Sequence, residues 1–341
     1  MNFAPAFLNL QRLQADSDAD ALVQAIFEEG SQTSLYAVLS MPVSDYENLD
    51  NSPLKQFLMQ SLPKPDWFKP ELLKKGQRVF EKYALPIMTL LGGLSLPYCY
   101  AASPGNKALY LSEKMRKNQG KRLADTADFI IAVSSPGQLD ENSEGHFHIN
   151  KTRLIHAIAR YYILKGKDWD MAWGLPINQE DMAGTNLAFS FLILRRLKKS
   201  GYTITEREME SFTGLWRYIG YQLHISTDLL PANYAEAMVL ERTIRNRHFK
   251  KSEEGIALTK ELLAYYKSMI PEKESVYIDA QVRYWLGKSV ADCVGLEANP
   301  ANDRKVEALN LVQEATNFLK IKEGDFAKML QNHAKIKAKV A

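Results

Sequence analysis

Cysteine is scarce here: Cys99 and Cys293 are the two in 341 residues, far apart, each in an apolar neighbourhood and outside any Cys-x-x-Cys spacing. That excludes a disulfide framework and a cysteine-held zinc, and it fits a reducing compartment. Charge of one sign is also lacking. The formal net charge is +3, with lysines and acids interspersed, so there is no electrostatic footprint for nucleic acid. The first residues, Met1 to Phe7, have no basic stretch, and Gln11, Arg12, Gln14 and Asp16 interrupt any apolar core. A secretion signal is therefore not expected, and the expected location is the cytoplasm. Period-two runs of β-branched residues are almost absent, as are internal repeats, phosphate-cradling glycine loops, G-x-S-x-G elbows and H-E-x-x-H. One long uncharged run exists, residues 83–102, but Pro86, Gly92-Gly93 and Pro97 break it. It just reaches the roughly 20 residues a membrane span needs, so a buried, broken helix is expected, with peripheral membrane contact left open.

What is present is helical periodicity. With 46% hydrophobic and 24% charged residues the chain can bury a large core. Spacing and capping residues predict helices over 18–29, 53–62, 70–83, 182–197, 233–247, 254–268, 276–294 and 303–319. A further one opens at the capping-box pattern Thr205-Glu206-Arg207-Glu208. The expected fold class is all-α, one large helical domain over residues 1–341. Residues 138–148 read as a loop that leaves His146 and His148 exposed, and residues 335–341 read as a fraying terminus.

The stretch from Thr152 to Leu164 stands apart. Arg153, His156 and Arg160 recur at steps of three, four and seven on one helix face, in an apolar run without a single acid. One reading is a core helix with snorkelling arginines and a hydrogen-bonded histidine. The other is a ligand site. Two buried guanidinium groups beside an imidazole need an anionic partner. Haem b offers both an iron for His156 and two propionates for the arginines. His224, on a similarly apolar background, is a second candidate iron ligand.

Arg122-x-x-Asp125-Thr126, Arg153-x-x-His156-x-x-x-Arg160, Pro176-Ile177-Asn178-Gln179-Glu180-Asp181 with Thr185 and Phe189, and Trp216-Arg217 with Gly220 follow one another in an order that resembles the latex-clearing-protein and MpaB-type oxygenases. The resemblance covers residues 75–295. It implies a partly globin-like haem-b core, His156 as the proximal iron ligand, Arg153 and Arg160 beside the haem, and Arg122 and Thr126 as catalytic residues near the other face; Asp125, a departure from the family pattern, is read as a third catalytic residue that hydrogen-bonds or handles a proton there, or else as a solvated helix acid. The rubber-cleaving members carry a lysine where this chain has Asp125, and a carboxylate upstream where it has Asn106. Latex is therefore not the expected substrate. The implied activity is oxidation or cleavage of a carbon–carbon double bond in a small apolar, prenylated substrate by dioxygen. A haem-binding sensor or carrier without turnover is the alternative, and a cofactor-free helical interaction protein the third. Residues 83–102, kinked at Gly92-Gly93, are expected to line the channel.

Overall fold

The helices Pro70–Lys82 and Glu206–Gln222 cross closely, and glycines permit it. A Cβ at Gly76 would stand 2.5 Å from the Ser211 carbonyl oxygen, and one at Gly214 would stand 2.5 Å from Leu72. The structure, a computed structural model, describes residues 3–111, 119–140, 143–317 and 325–340. Among them every regular element is helical, and the one β-bridge, Ala102 with Phe249, is isolated.

In chain order the helices are α1 (Pro5–Gln11), α2 (Ser17–Glu28), α3 (Gln32–Ser40), α4 (Pro53–Met59), α5 (Pro70–Lys82), α6 (Ala84–Leu90), α7 (Leu96–Tyr100) and α8 (Gly105–Leu111). Then come α9 (Gln119–Ser134), α10 (Glu144–Lys165), α11 (Gln179–Phe189), α12 (Phe191–Lys199), α13 (Glu206–Gln222), α14 (Tyr234–His248) and α15 (Glu253–Ser268). The last five are α16 (Glu272–Ser275), α17 (Ile278–Leu286), α18 (Lys288–Cys293), α19 (Pro300–Thr316) and α20 (Asp325–Val340). Helix α10 is the wall between two hydrophobic cores. The larger is built from α5 to α7, α11 to α15 and α17. The smaller packs α2, α3 and α4 onto Phe147, Leu154 and Ala157 of α10.

The uncharged run folds as expected, into α6 and α7 joined by a π-turn over Leu91–Ser95. Tyr266 and Trp285 fill the space that side chains at Gly92 and Gly93 would take: their nearest atoms lie 2.7 and 2.3 Å from those Cβ positions. No single helix among the described residues is long and apolar enough to cross a membrane, and α5 meets the α6–α7 run at 82°.

Three expectations change. The helix over 182–197 is two, broken at Ser190, whose hydroxyl donates back to the Asn186 carbonyl at 2.7 Å. The helix over 276–294 breaks at Gly287, which adopts φ +77°. The C-terminal segment is ordered helix up to Val340, because Met329 is buried and Asp128 of α9 meets His333 at 2.6 Å and accepts from Lys337 at 2.8 Å.

Candidate active site

Helix α10 starts where Ser143 caps the His146 N–H and runs to Gly166. His146 and His148 therefore lie on its first turns, not in a loop. His146 is 5% exposed, accepts at Nε2 from the Asn150 amide at 3.2 Å, and reaches Ser61 through Nδ1 at 3.3 Å. The polar run hid a capped helix end, because serine, glutamate and glycine serve both purposes.

Further along, the cationic stripe is buried as expected, but its counter-charges come from the chain itself. Arg153 is 1% exposed and grips Asp16 through Nε at 2.6 Å and Nη2 at 3.0 Å, with Nη1 on Asn150 Oδ1 at 3.4 Å and its plane over the Phe57 ring. Arg160 donates through Nε to both carboxylate oxygens of Asp20, at 2.9 and 3.1 Å, and through Nη1 to the Ile177 carbonyl at 3.2 Å. This corrects the expectation that a ligand must neutralise both guanidinium groups. Arg153 has its donors occupied; Arg160 keeps Nη2 buried without a partner. The two acids differ. Burial pushes Asp16 up, but the Arg153 fork and charge, His224 and the Ala19 N–H outweigh it and hold the carboxyl below its ordinary range. For Asp20, burial wins over Arg160, and the carboxyl is shifted up.

His156 sits between these pairs with Nδ1 buried and unpartnered. Burial, helped by the charges of Arg160 and Arg122 and opposed by Asp16, lowers it to about 4. At neutral pH it is thus a neutral imidazole, the metal-ligating form. The residue as a whole is half-buried. Two other groups are at once desolvated and half-buried. Arg122 on α9, half-buried and shifted down by desolvation against Tyr100 and Asp125, is one. Cys99 on α7 is another: half-buried, its thiol is pushed up to about 12 by burial, against a hydrogen bond with Thr185 that pulls the other way. Thr185 is exposed although α11 runs through the main core.

Of the other expected residues, Thr126 donates its hydroxyl to the Arg122 carbonyl at 2.9 Å, and Asp125 is exposed. Asn106 is 1% exposed, tied through Nδ2 to the Tyr100 carbonyl at 2.7 Å and to Ser252 at 2.8 Å, with Oδ1 buried and unpartnered. His224, the second candidate iron ligand, lies at φ +65° beyond α13, with Nδ1 3.3 Å from Asp16 and Nε2 3.8 Å from Asp18. The residues missed are Asp16 and Asp20, and Cys99 with Thr185. Capping residues at the start of a helix look solvated in sequence, and nothing local marks a partner 137 or 140 positions away.

His156 and Arg160 fit a haem. A half-buried imidazole held neutral, with a ring nitrogen that no protein group occupies, matches a metal ligand. An unspent guanidinium donor on the same helix face matches a propionate.

Acid should unfold the ligand-free protein early. His156 and His148, the latter lowered by burial and Lys151, each have a folded value of about 4 against 6.5 in the open chain. Between those values the unfolded chain binds the extra protons. Stability is complete above pH 6.5 and falls as pH drops towards 4, by roughly 3 kcal/mol per histidine at about 1.36 kcal/mol per pH unit. Below the ordinary carboxylate range the contribution of Asp16 is lost as well. Urea midpoints from pH 7 to 4 should fall steadily, and a flat profile down to pH 4 would refute the assignment.

A family model described as ER-bound oxygenase mpaB/B′/Rubber oxygenase, catalytic domain, matches residues 82–315. The chain is 24% identical to the rubber oxygenase of Streptomyces sp. (strain K30) over 300 residues, 85% of this chain and 73% of that protein. The solved structure of latex clearing protein LCP in the closed state has the same fold, with a TM-score of 0.79 at 21% identity, over 96% of this chain and 91% of that one.

Proposed function

Because the chain belongs to the family of ER-bound oxygenase mpaB/B′ and rubber oxygenase catalytic domains, and so is an oxidoreductase of the oxygenase class, we propose that it holds haem b through His156 and uses dioxygen to oxidise or cleave a carbon–carbon double bond of a small apolar, prenylated substrate. The observation that carries this reading is His156, neutral and half-buried in the middle of α10, with the buried, unpartnered Nη2 of Arg160 on the same helix face. When bound, the haem supplies an iron at which dioxygen can react with an alkene. The protein's part is to hold, orient and exclude.

Arg160 offers its unpartnered Nη2 to a propionate, while Arg153 keeps α10 in place through Asp16. On the facing helix, Arg122 presents a desolvated cation whose charge reaches His156, and Thr126 is pinned one turn on by its bond to the Arg122 carbonyl. A desolvated cation stabilises negative charge that develops nearby more strongly than one in water does. Cys99 stays a thiol because of its burial, so no thiolate competes with His156 for a metal. Asp125 stands where rubber-cleaving members carry a lysine, and a carboxylate is a weaker competitor than an amine for ferrous haem. With Asp125 there, no amine of this chain would compete for the iron of a bound haem, and imidazole added to the haem-loaded protein should shift its spectrum.

Oxygen uptake tests the reading. A short prenylated compound should drive uptake by the haem-loaded protein, polyisoprene latex should not, and Asp125→Asn should change turnover far more than haem content. A haem spectrum without uptake on any alkene would make the protein a carrier. Rapid cleavage of latex would overturn the role given to Asp125.

A further inference from the structure

The two carboxylates that neutralise the α10 arginines lie upstream of residues 82–315, in the helix that opens the smaller core. Asp16 caps α2 by accepting from the Ala19 N–H at 3.2 Å, and Asp20 lies one turn along. Their partners, Arg153 and Arg160, are seven residues apart, about 10 Å along the α10 axis at roughly 1.5 Å per residue. His156 falls between them, three residues after one and four before the other. Phe147, Leu154 and Ala157 pack α10 against the smaller core; the two ion pairs, on either side of His156, add polar ties that set its roll about its axis within that packing. A helical residue's side chain swings with the roll, and a reactive constellation tolerates misplacement of only about 0.5 Å or 10–20°.

The geometry around Asp16 is closed on several sides. Arg153 takes both of its oxygens, the Ala19 N–H binds one, and His224 from beyond α13 stands 3.3 Å away, so α2, α10 and the end of α13 meet at one carboxylate. At Asp20 the same Arg160 that binds the acid carries the unpartnered Nη2 and, through Nη1, holds the Ile177 carbonyl just before α11. The acid therefore sets the plane of the guanidinium whose remaining donor faces no protein partner.

We propose that Asp16 and Asp20 are positioning residues of the oxygenase site: through Arg153 and Arg160 the N-terminal helix α2 fixes the aim of His156 and of the free Arg160 donor. The inference rests on the haem-binding reading above. It makes the N-terminal segment part of the working site, although that segment lies outside the matched catalytic domain.

The test uses the full chain loaded with haem, with Asp16→Asn, Asp20→Asn and Asp20→Glu, following haem transfer to an excess of a haem-free acceptor protein and the haem reduction potential. Asp20→Asn should speed haem loss by about tenfold or more, in line with the roughly 10–100-fold effects of outer partners at metal sites, and shift the potential; Asp20→Glu should restore both. Asp16→Asn should act in the same direction. Should that deeply buried variant fail to fold, the half-buried Asp20 pair carries the test alone. Wild-type loss rates and potentials in a folded Asp20→Asn, with only a lower melting temperature, would make the acids purely structural and overturn the inference. A wild-type chain that takes up no haem would overturn it together with the haem reading, so the two failures are told apart.

Discussion

His156→Ala retains no haem, and its affinity for added haemin falls by more than about 100-fold, beyond the 10–100-fold that loss of an outer partner costs. The expectation follows from how little else in the site could hold iron. Cys99 remains protonated, His224 is engaged by Asp16 and Asp18, and His146 is bonded at both ring nitrogens. His224→Ala should accordingly leave haem content unchanged. Pyridine haemochrome assays on both variants, expressed with haem supplementation, decide between them. Retention in His156→Ala with loss in His224→Ala would move the ligand to the end of α13.

Arg153→Ala should be the most destabilising single change on α10, at about 3–5 kcal/mol, the scale for removing one partner of a buried ion pair. Nearly fully buried, Asp16 would be left with its charge facing His224 and one backbone N–H alone. Out of a total stability of roughly 5–15 kcal/mol, that is about a fifth or more for a typical domain. Urea unfolding at pH 7 measures it. The double change Arg153→Met with Asp16→Asn should recover much of the loss, since a neutral pair of similar volume leaves no unpaired buried charge. A loss under about 1 kcal/mol in Arg153→Ala would give the pair no more worth than an exposed one. The haem effect of Arg153 is then indirect, through the placement of α10, whereas Arg160→Ala removes a donor that has no other protein partner.

Much of the fold was legible because helix ends announce themselves locally. The capping box at Thr205 and Glu208 is present with both of its bonds, Asn233 and Ser52 cap the helices they precede, and Gly92-Gly93 marks the π-turn between α6 and α7. What was not legible depends on distance along the chain. The apolar run with Arg153, His156 and Arg160 correctly marked a buried cationic face, but the inference that a ligand must balance it overlooked Asp16 and Asp20. At the start of α2 these acids look like ordinary first-turn carboxylates. The C-terminal lysines looked like a solvated tail because the acid that holds Lys337, Asp128, is 209 residues away. Ser190 breaks a run with strong helical periodicity because its side chain competes for a backbone carbonyl, an outcome that periodicity does not report. At the site, the pairing of His156 with Arg122 across α9 and α10 follows the motif order, whereas Cys99 and Thr185 come together only through the packing of α7 on α11.

The central claim is that this helical oxygenase carries haem on His156. The most direct measurement is the optical spectrum of the purified chain titrated with haemin, recorded with and without dithionite. The account predicts a Soret band that saturates at one haem per chain, shifts on reduction, and is missing in His156→Ala. A chain that stays colourless after haem-replete expression and shows no saturable band, or a band of equal strength in His156→Ala, would contradict it.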